Sequence, residues 1–264
     1  MTDLKEYFSG NKLYGNNFSN EQIKKWFRDE EEGYSSLIGS NHKYEFHKFN
    51  RFHGFSQIDK KKRFNTVLGF GAATGDELLP VIERIDKINI IEPSKKLRRG
   101  HLCWKTIEYI SPKFNNKLAT KSNTFDLITC FGVLHHIPNV SFVFGELSRV
   151  LKSGGYLLVR EPIVSMGDWR FPRKGLTKRE RGIPINIFRK IIKENNLQII
   201  SERKVMFPFI RRLEYLKIQP YNSKICVLLD YLFSLLLSWN NKYHSANIFQ
   251  KLRPQSVFYV LKKN

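Results

Sequence analysis

From residue 63 onward, short apolar runs alternate with segments of helical spacing. The runs are FNTVLGF (64–70), INIIEP (88–93), IEYIS (107–111), FDLITCF (125–131), GGYLLVREP (154–162), LQIISERKVMF (197–207) and SVFYVLKK (256–263). VLGF, INII, LITCF and YLLV within them are almost continuously apolar, as strands buried on both faces are. DELLPVIERI, KKLRRGHLCWKTI and SFVFGELSRVLK lie between them and carry helix-like spacing. Strands alternating with helices predict βαβ units and a parallel sheet, an α/β fold. Residues 1–62 are instead polar and aromatic, without strand alternation. They predict short helices, one of them over about Asn20–Glu32, where Ser and Asn offer a start. HKYEFHKFNRFHGF (42–55) sets His47, Phe49 and His53 among aromatic residues, as a covering helix or as a lid over a ligand.

The pattern divides the chain into a helical N-terminal cap, 1–62, and a main domain, 63–264, with a helical insertion at about 208–255 between the last two strands. The insertion holds the most apolar stretch, ICVLLDYLFSLLLSW (Ile225–Trp239), interrupted by Asp230. It is shorter than the roughly 20 residues that span a bilayer. Apolar residues fall on nearly every side of it, so the expectation is a largely buried helix.

Composition narrows the class. Hydrophobic residues at 41% and aromatic residues at 14% support a packed core. MTDLKEYFSG carries no readable signal peptide, and Cys103, Cys130 and Cys226 are too far apart for a metal-type cluster or a disulfide framework. The expected compartment is a reducing cytoplasm, and no metal is expected. The net charge is +21. Part of it is a general richness in Lys, but Arg160–Lys217 alone holds 15 Lys and Arg against 6 Asp and Glu, a local net of +9. Such a field favours phosphate-bearing or acidic partners.

The chemistry starts at VLGFGAATGDE (67–77), where Gly69, Gly71 and Gly75 follow the first apolar run. Glycines there allow a sharp strand-to-helix turn and close backbone approach to a ligand. Thr74 stands where a dinucleotide fingerprint has glycine, which disfavours a nicotinamide or flavin ligand. Glu92 ends the second run, 17 residues after Gly75, where a carboxylate can accept hydrogen bonds from ribose hydroxyls.

The ordered set VLGFGAATGDEL, IIEPS, FDLITCFGVLHHIPN and ELSRVLKSGGYLLVREP, over roughly residues 63–162, resembles class I SAM-dependent methyltransferases of the small-molecule branch. It is similar in a general way to those of surface-polysaccharide pathways. The resemblance implies a Rossmann-like seven-stranded, mostly parallel sheet with helices on both faces and an antiparallel last strand. It implies S-adenosyl-L-methionine (SAM) as cofactor, held by Gly69, Gly71, Ala73, Gly75, Glu92, Pro93, Cys130, Phe131 and Gly132. Two positions depart from the family pattern: Gly69 replaces an acid and Ala73 a glycine, with Asp76 or Glu77 as electrostatic substitutes. CFGV stands where amino-group methylases carry an Asn/Asp-Pro-Pro-aromatic tetrad, which argues against N6 methylation of a nucleic-acid base, and no specific nucleic acid is expected.

Methyl transfer needs an acceptor held in line, and a hydroxyl acceptor also profits from a base. His135 and His136 follow the fourth strand and are base candidates, or they cap the following helix. Neighbours on a helix point about 100° apart, so at most one faces the acceptor. Arg160 and Glu161 end the fifth strand at the same edge, Glu161 as a further catalytic candidate. In MGDWRFPRKGLTKRERGIP (166–184), Trp169, Arg170, Arg173, Arg179 and Arg181, with Arg160, are candidates for binding a ring and anionic groups; a solvated loop is the other reading. The expected activity is O-methylation of a sugar or glycan intermediate. A quinone or other lipid acceptor, RNA, and a non-catalytic SAM-binding protein are the rival readings. The Ile225–Trp239 helix is expected to close the acceptor pocket together with residues 1–62. An apolar edge flanked by Lys224, Lys242 and Lys251 would touch the inner face of a membrane peripherally.

Overall fold

The computed structural model describes residues 2–37, 44–111 and 117–264. Three helices, α1 (Thr2–Ser9), α2 (Asn20–Leu37) and α3 (His47–His53), precede the first strand. The strands are β1 (Phe64–Phe70), β2 (Ile85–Ile91), β3 (His101–Leu102), β4 (Lys105–Ile110), β5 (Phe125–Phe131), β6 (Leu151–Pro162), β7 (Leu197–Val205) and β8 (Ser256–Lys263). The remaining helices are α4 (Val140–Val150), α5 (Ile185–Glu194), α6 (Pro208–Arg212) and α7 (Lys224–Leu236).

These strands form one sheet in the order β3-β4-β2-β1-β5-β6-β8-β7. β4, β2, β1, β5 and β6 are mutually parallel, and β8 runs against both β6 and β7. The antiparallel last strand is as expected. The strand count is eight rather than seven, because the two-residue β3 pairs antiparallel with β4. It arises in KKLRRGHLCWKTI, whose helical spacing is not realised. Cys103 adopts a left-handed φ of 53° and turns the chain between His101–Leu102 and Lys105. DELLPVIERI also winds as 3₁₀ turns (Asp76–Arg84) rather than an α-helix. Pro80 lies inside it and lacks the amide that an α-helical turn would use.

Alternation along the strands sends side chains to two cores. On one face Leu68, Ile128, Leu157 and Tyr259 pack with Phe144, Leu147 and Phe188 of α4 and α5. On the other, Val67, Leu127, Leu158 and Phe258 pack with Phe49 of α3, Leu78 and Val81 of the 3₁₀ segment, and Val227 of α7. Each fully buried Phe or Leu contributes about 1.5–3 kcal/mol of transfer free energy. α3 is therefore a covering helix of the core, with Phe49, Asn50 and His53 buried. Burial holds the His53 imidazole neutral, its pKa pushed down to about 3.

α7 departs from the expectation of broad burial. Val227, Asp230 and Ser234 are buried, on α3 and β7, and Cys226 and Phe233 pack partly buried against the core, while Ile225, Leu228, Leu229, Leu232, Leu235 and Leu236 face out. Asp230, the apparent flaw in an apolar stretch, is its anchor. The carboxylate accepts from the amides of Met206 (2.9 Å) and Phe207 (2.7 Å), just past β7. Among the described residues no helix is long and apolar enough to cross a membrane.

Candidate active site

The glycine turn folds tightly at the carboxyl end of β1. Gly71 (φ +68°) and Gly75 (φ +79°) adopt conformations that favour glycine. Ala73 takes φ 48°, at a cost of about 1 kcal/mol. The Gly71 amide donates to Ile91 O (2.8 Å) and the Gly75 amide to Ala72 O (2.7 Å), tying the turn to β2 and to itself. A Cβ on Gly69 would come 2.6 Å from the Ala72 methyl, so this turn has no room for the family's acid at position 69.

Three carboxylates surround the turn. Glu92 directly follows β2 and is buried, its Oε1 accepting from the Ser94 amide (2.9 Å). Burial raises its pKa, opposed by the backbones of Ser94 and Ala73. Asp76 is already engaged by Arg99 Nη2 (2.5 Å) and the Thr74 hydroxyl (2.7 Å). Glu77 is different: it is 3% exposed, and its Oε1 has no hydrogen-bond partner among the described residues. Burial pushes its pKa up to about 7 against the opposing pull of Thr129 and Arg160. Thr129 pairs with Gly69 across β1 and β5, and its Oγ1 lies 3.9 Å from where a Gly69 Cβ would stand. Glu77 thus brings a carboxylate to the neighbourhood that a residue-69 acid would serve.

Of the other residues expected around a cofactor, Cys130 and Phe131 are buried and Pro93 is exposed. Burial holds the Cys130 thiol protonated. Gly132 (φ +73°) bonds through its amide to Arg160 O (2.7 Å), redirecting the chain after β5.

The two histidines part company. His135 Nδ1 lies 2.8 Å from Glu161 Oε2. Glu161 is fully buried and also accepts from the amides of Val133 (2.7 Å), Leu134 (2.8 Å) and His135 (3.3 Å). That geometry makes Glu161 an orienting group that fixes the loop and the His135 ring. His136 spends both ring nitrogens: Nδ1 on Glu30 (2.8 Å) and Nε2 on Glu180 (3.2 Å). Burial and the adjacent His135 push its pKa down. His135, His136 and Glu180 each offer a ligand atom within 4.8 Å of the others, but ring–carboxylate pairs already engage the two imidazoles.

The residues expected to bind the acceptor are built into the scaffold. Arg173 donates to the carbonyls of Met166 (3.0 Å), Thr177 (2.9 Å), Lys178 (3.2 Å) and Glu180 (2.6 Å). Arg179 grips Asp29 Oδ2 through Nε (2.8 Å) and Nη2 (2.7 Å) and reaches the Tyr14 hydroxyl (2.7 Å). Arg170 pairs with Asp168, and Trp169 stacks on Tyr14 with ring centroids 5.0 Å apart. Arg160 lies 3.9 Å over the Phe46 ring and bonds Asn50 Oδ1 (3.3 Å). Arg181, fully buried, donates to the carbonyls of Tyr14, Leu134, His135 and Ile137 and packs over Trp26. Loop 166–184 therefore bolts α2 to the segment after β5. Asp29, Glu30 and Glu180 are the partners that the sequence reading missed. The available signal was RDEEE (28–32), an acidic run that complements the basic loop.

The profile of a family described as a methyltransferase domain matches residues 41–202. A ubiquinone biosynthesis O-methyltransferase from Thiobacillus denitrificans is 26% identical over 89 residues, a match covering 33% of this chain and 38% of that protein. An S-adenosylmethionine-dependent methyltransferase from Mesorhizobium loti superposes with a TM-score of 0.53 at 15% identity, over 79% of this chain and 95% of the other. The N-methyltransferase NodS from Bradyrhizobium japonicum, solved with S-adenosyl-L-homocysteine, superposes with a TM-score of 0.51 at 11% identity, over 91% and 97%.

Proposed function

The chain belongs to the methyltransferase domain family, and we propose that it uses SAM to methylate a hydroxyl of a small molecule, a sugar or glycan intermediate. The observation that carries the cofactor assignment is the turn at 69–75, flanked by two buried carboxylates, Glu92 and Glu77. SAM bears a ribose with two hydroxyls and a cationic methionyl end, and those carboxylates match both. Glu92 accepts from the ribose hydroxyls; Glu77, with its unpartnered oxygen, receives the ammonium. Bound SAM supplies an electrophilic methyl group on a sulfonium. The chain's own task is to hold the acceptor oxygen in line with it and to take its proton.

His135 is the base in this reading. Glu161 fixes its ring through Nδ1, which leaves Nε2 as the nitrogen that can accept a proton. His136 has neither nitrogen to spare and serves the scaffold. A lipid acceptor is the second reading. It is supported by the partial likeness to a ubiquinone biosynthesis O-methyltransferase and by the apolar side chains that α7 exposes.

Two measurements test the proposal. Glu92→Ala should weaken SAM binding by about 1.5–3 kcal/mol, the range of charge-assisted hydrogen bonds; calorimetric affinity unchanged in a folded variant would remove Glu92 from the site. Incubation of the protein and methyl-labelled SAM with cell extract should place label in water-soluble or lipid-linked saccharides. Label in simple lipids or quinones would instead select the second reading, and no label in any fraction would sink both.

A further inference from the structure

We propose that the segment between β7 and β8 seats the protein on an anionic membrane surface. The observation is the outer face of α7 and the turns around it. Ile225, Leu228, Leu229, Leu232, Leu235 and Leu236 are all exposed on this one helix, and Trp239 just beyond it is 76% exposed. Tyr215 and Leu216 before the helix, and Ile248 and Phe249 after it, extend the same character at 69–86% exposure. Scattered apolar residues on a surface are ordinary; a continuous set of this kind marks an interaction site.

Charge selects the occupant. Within residues 208–255 the exposed ionisable groups include Arg211, Arg212, Lys217, Lys224, Lys242 and Lys251, and Glu214 is the exposed acid. Asp230, the other acid, is buried under the helix. A second copy of the chain, docked by the same face, would bring six more cations against these six. An anionic bilayer complements them, with Lys and Arg at the headgroups and the aliphatic face below. At 13 residues α7 is about 20 Å long, too short to cross and suited to lying in the interface. Trp239 and Tyr215 carry an apolar ring with a polar tip, the side-chain type that settles at headgroup level.

The helix is also held at a telling place. Asp230 bonds the Met206 and Phe207 amides just past β7, which runs in the same direction as β6 because both oppose β8. The carboxyl ends of β7, β6 and β1 lie along one sheet edge, so the apolar face and the glycine turn belong to the same edge. Docking is independent of which acceptor is methylated.

The test is flotation of the full chain with vesicles of phosphatidylcholine alone or mixed with phosphatidylglycerol, alongside light scattering without lipid. The expected result is binding to the anionic vesicles alone, diminishing as salt is raised. Leu235→Asp/Leu236→Asp should abolish it. Lys242→Glu/Lys251→Glu should weaken it about tenfold or more. Both variants keep the wild-type melting transition, because the four side chains are exposed. No binding at low salt, or binding undiminished in both variants, would overturn the proposal. So would a dimer that Leu235→Asp/Leu236→Asp dissociates, which would assign the face to a second copy.

Discussion

Glu77→Gln should weaken SAM binding about 10- to 100-fold, the effect of losing one charge-assisted hydrogen bond or more, and should leave binding of 5′-methylthioadenosine unchanged. That analogue keeps the adenosine and lacks the ammonium, so the pair of affinities isolates the end of the cofactor that Glu77 faces. Equal losses for both ligands, or none for either, would reject the role. The unliganded protein adds an independent signature. Burial raises the Glu77 pKa from 4.5 to about 7, so the folded state holds this proton more tightly than the unfolded chain does. Stability therefore falls as pH rises through that window, by about 3 kcal/mol in all. The Gln variant escapes this loss and should melt higher than the wild type at pH 8 in the absence of ligand. SAM affinity should follow the same group with the opposite sign. It should climb as pH rises towards about 7, where the carboxylate forms, then level off, and the Gln variant should flatten the curve.

Arg181→Ala should cost about 2–6 kcal/mol of folding stability, at about 1–3 kcal/mol for each buried carbonyl left without a donor. The carbonyls of Tyr14 and Ile137 lose their donor, while those of Leu134 and His135 lose the guanidinium and keep the amides of Ile137 (3.1 Å) and residue 181 (3.3 Å). The effect should reach beyond the mutated loop. Tyr14 lies before α2, so the N-terminal helices lose a clasp, and Trp26 loses the guanidinium packed 5.1 Å from its ring. Urea denaturation reads the stability, and tryptophan fluorescence reads the release of Trp26. Arg181→Lys should not rescue, because a single ammonium cannot reproduce the planar fork of donors. A loss below about 1 kcal/mol would mean that the carbonyls are readily served by water and that the network is weaker than its burial implies.

What the sequence revealed follows from how each feature is encoded. Strands covered on both faces must be apolar without interruption, and FNTVLGF, FDLITCF and SVFYVLKK coincide with β1, β5 and β8 residue for residue. The glycine turn was legible because only glycine enters its positive-φ positions cheaply, and Gly71 and Gly75 both sit there. The β3 hairpin was hidden, since two residues cannot display a period. Asp76–Arg84 displayed a helical period but holds Pro80 in a stretch of 14 residues between β1 and β2, and 3₁₀ turns result. The loop arginines misled for another reason. A basic run is written the same way whether its guanidinium groups meet water, a ligand or carboxylates elsewhere in the chain, and those of Arg179 meet Asp29. Glu77 carries no sequence mark of its burial; the Gly69 departure was the pointer to it.

The clasp between α2 and loop 166–184 also sets an order of events during synthesis. The helix passes out of the ribosome well before its anchors: Arg179 is 150 residues beyond Asp29, and His136 is 106 beyond Glu30. Until that later chain exists, α2 has only local interactions, and 18 residues of polar, weakly apolar helix hold together poorly alone. Contacts of such long range close last, after the sheet that presents them has formed. The helix made before the sheet is thus the one that docks after it.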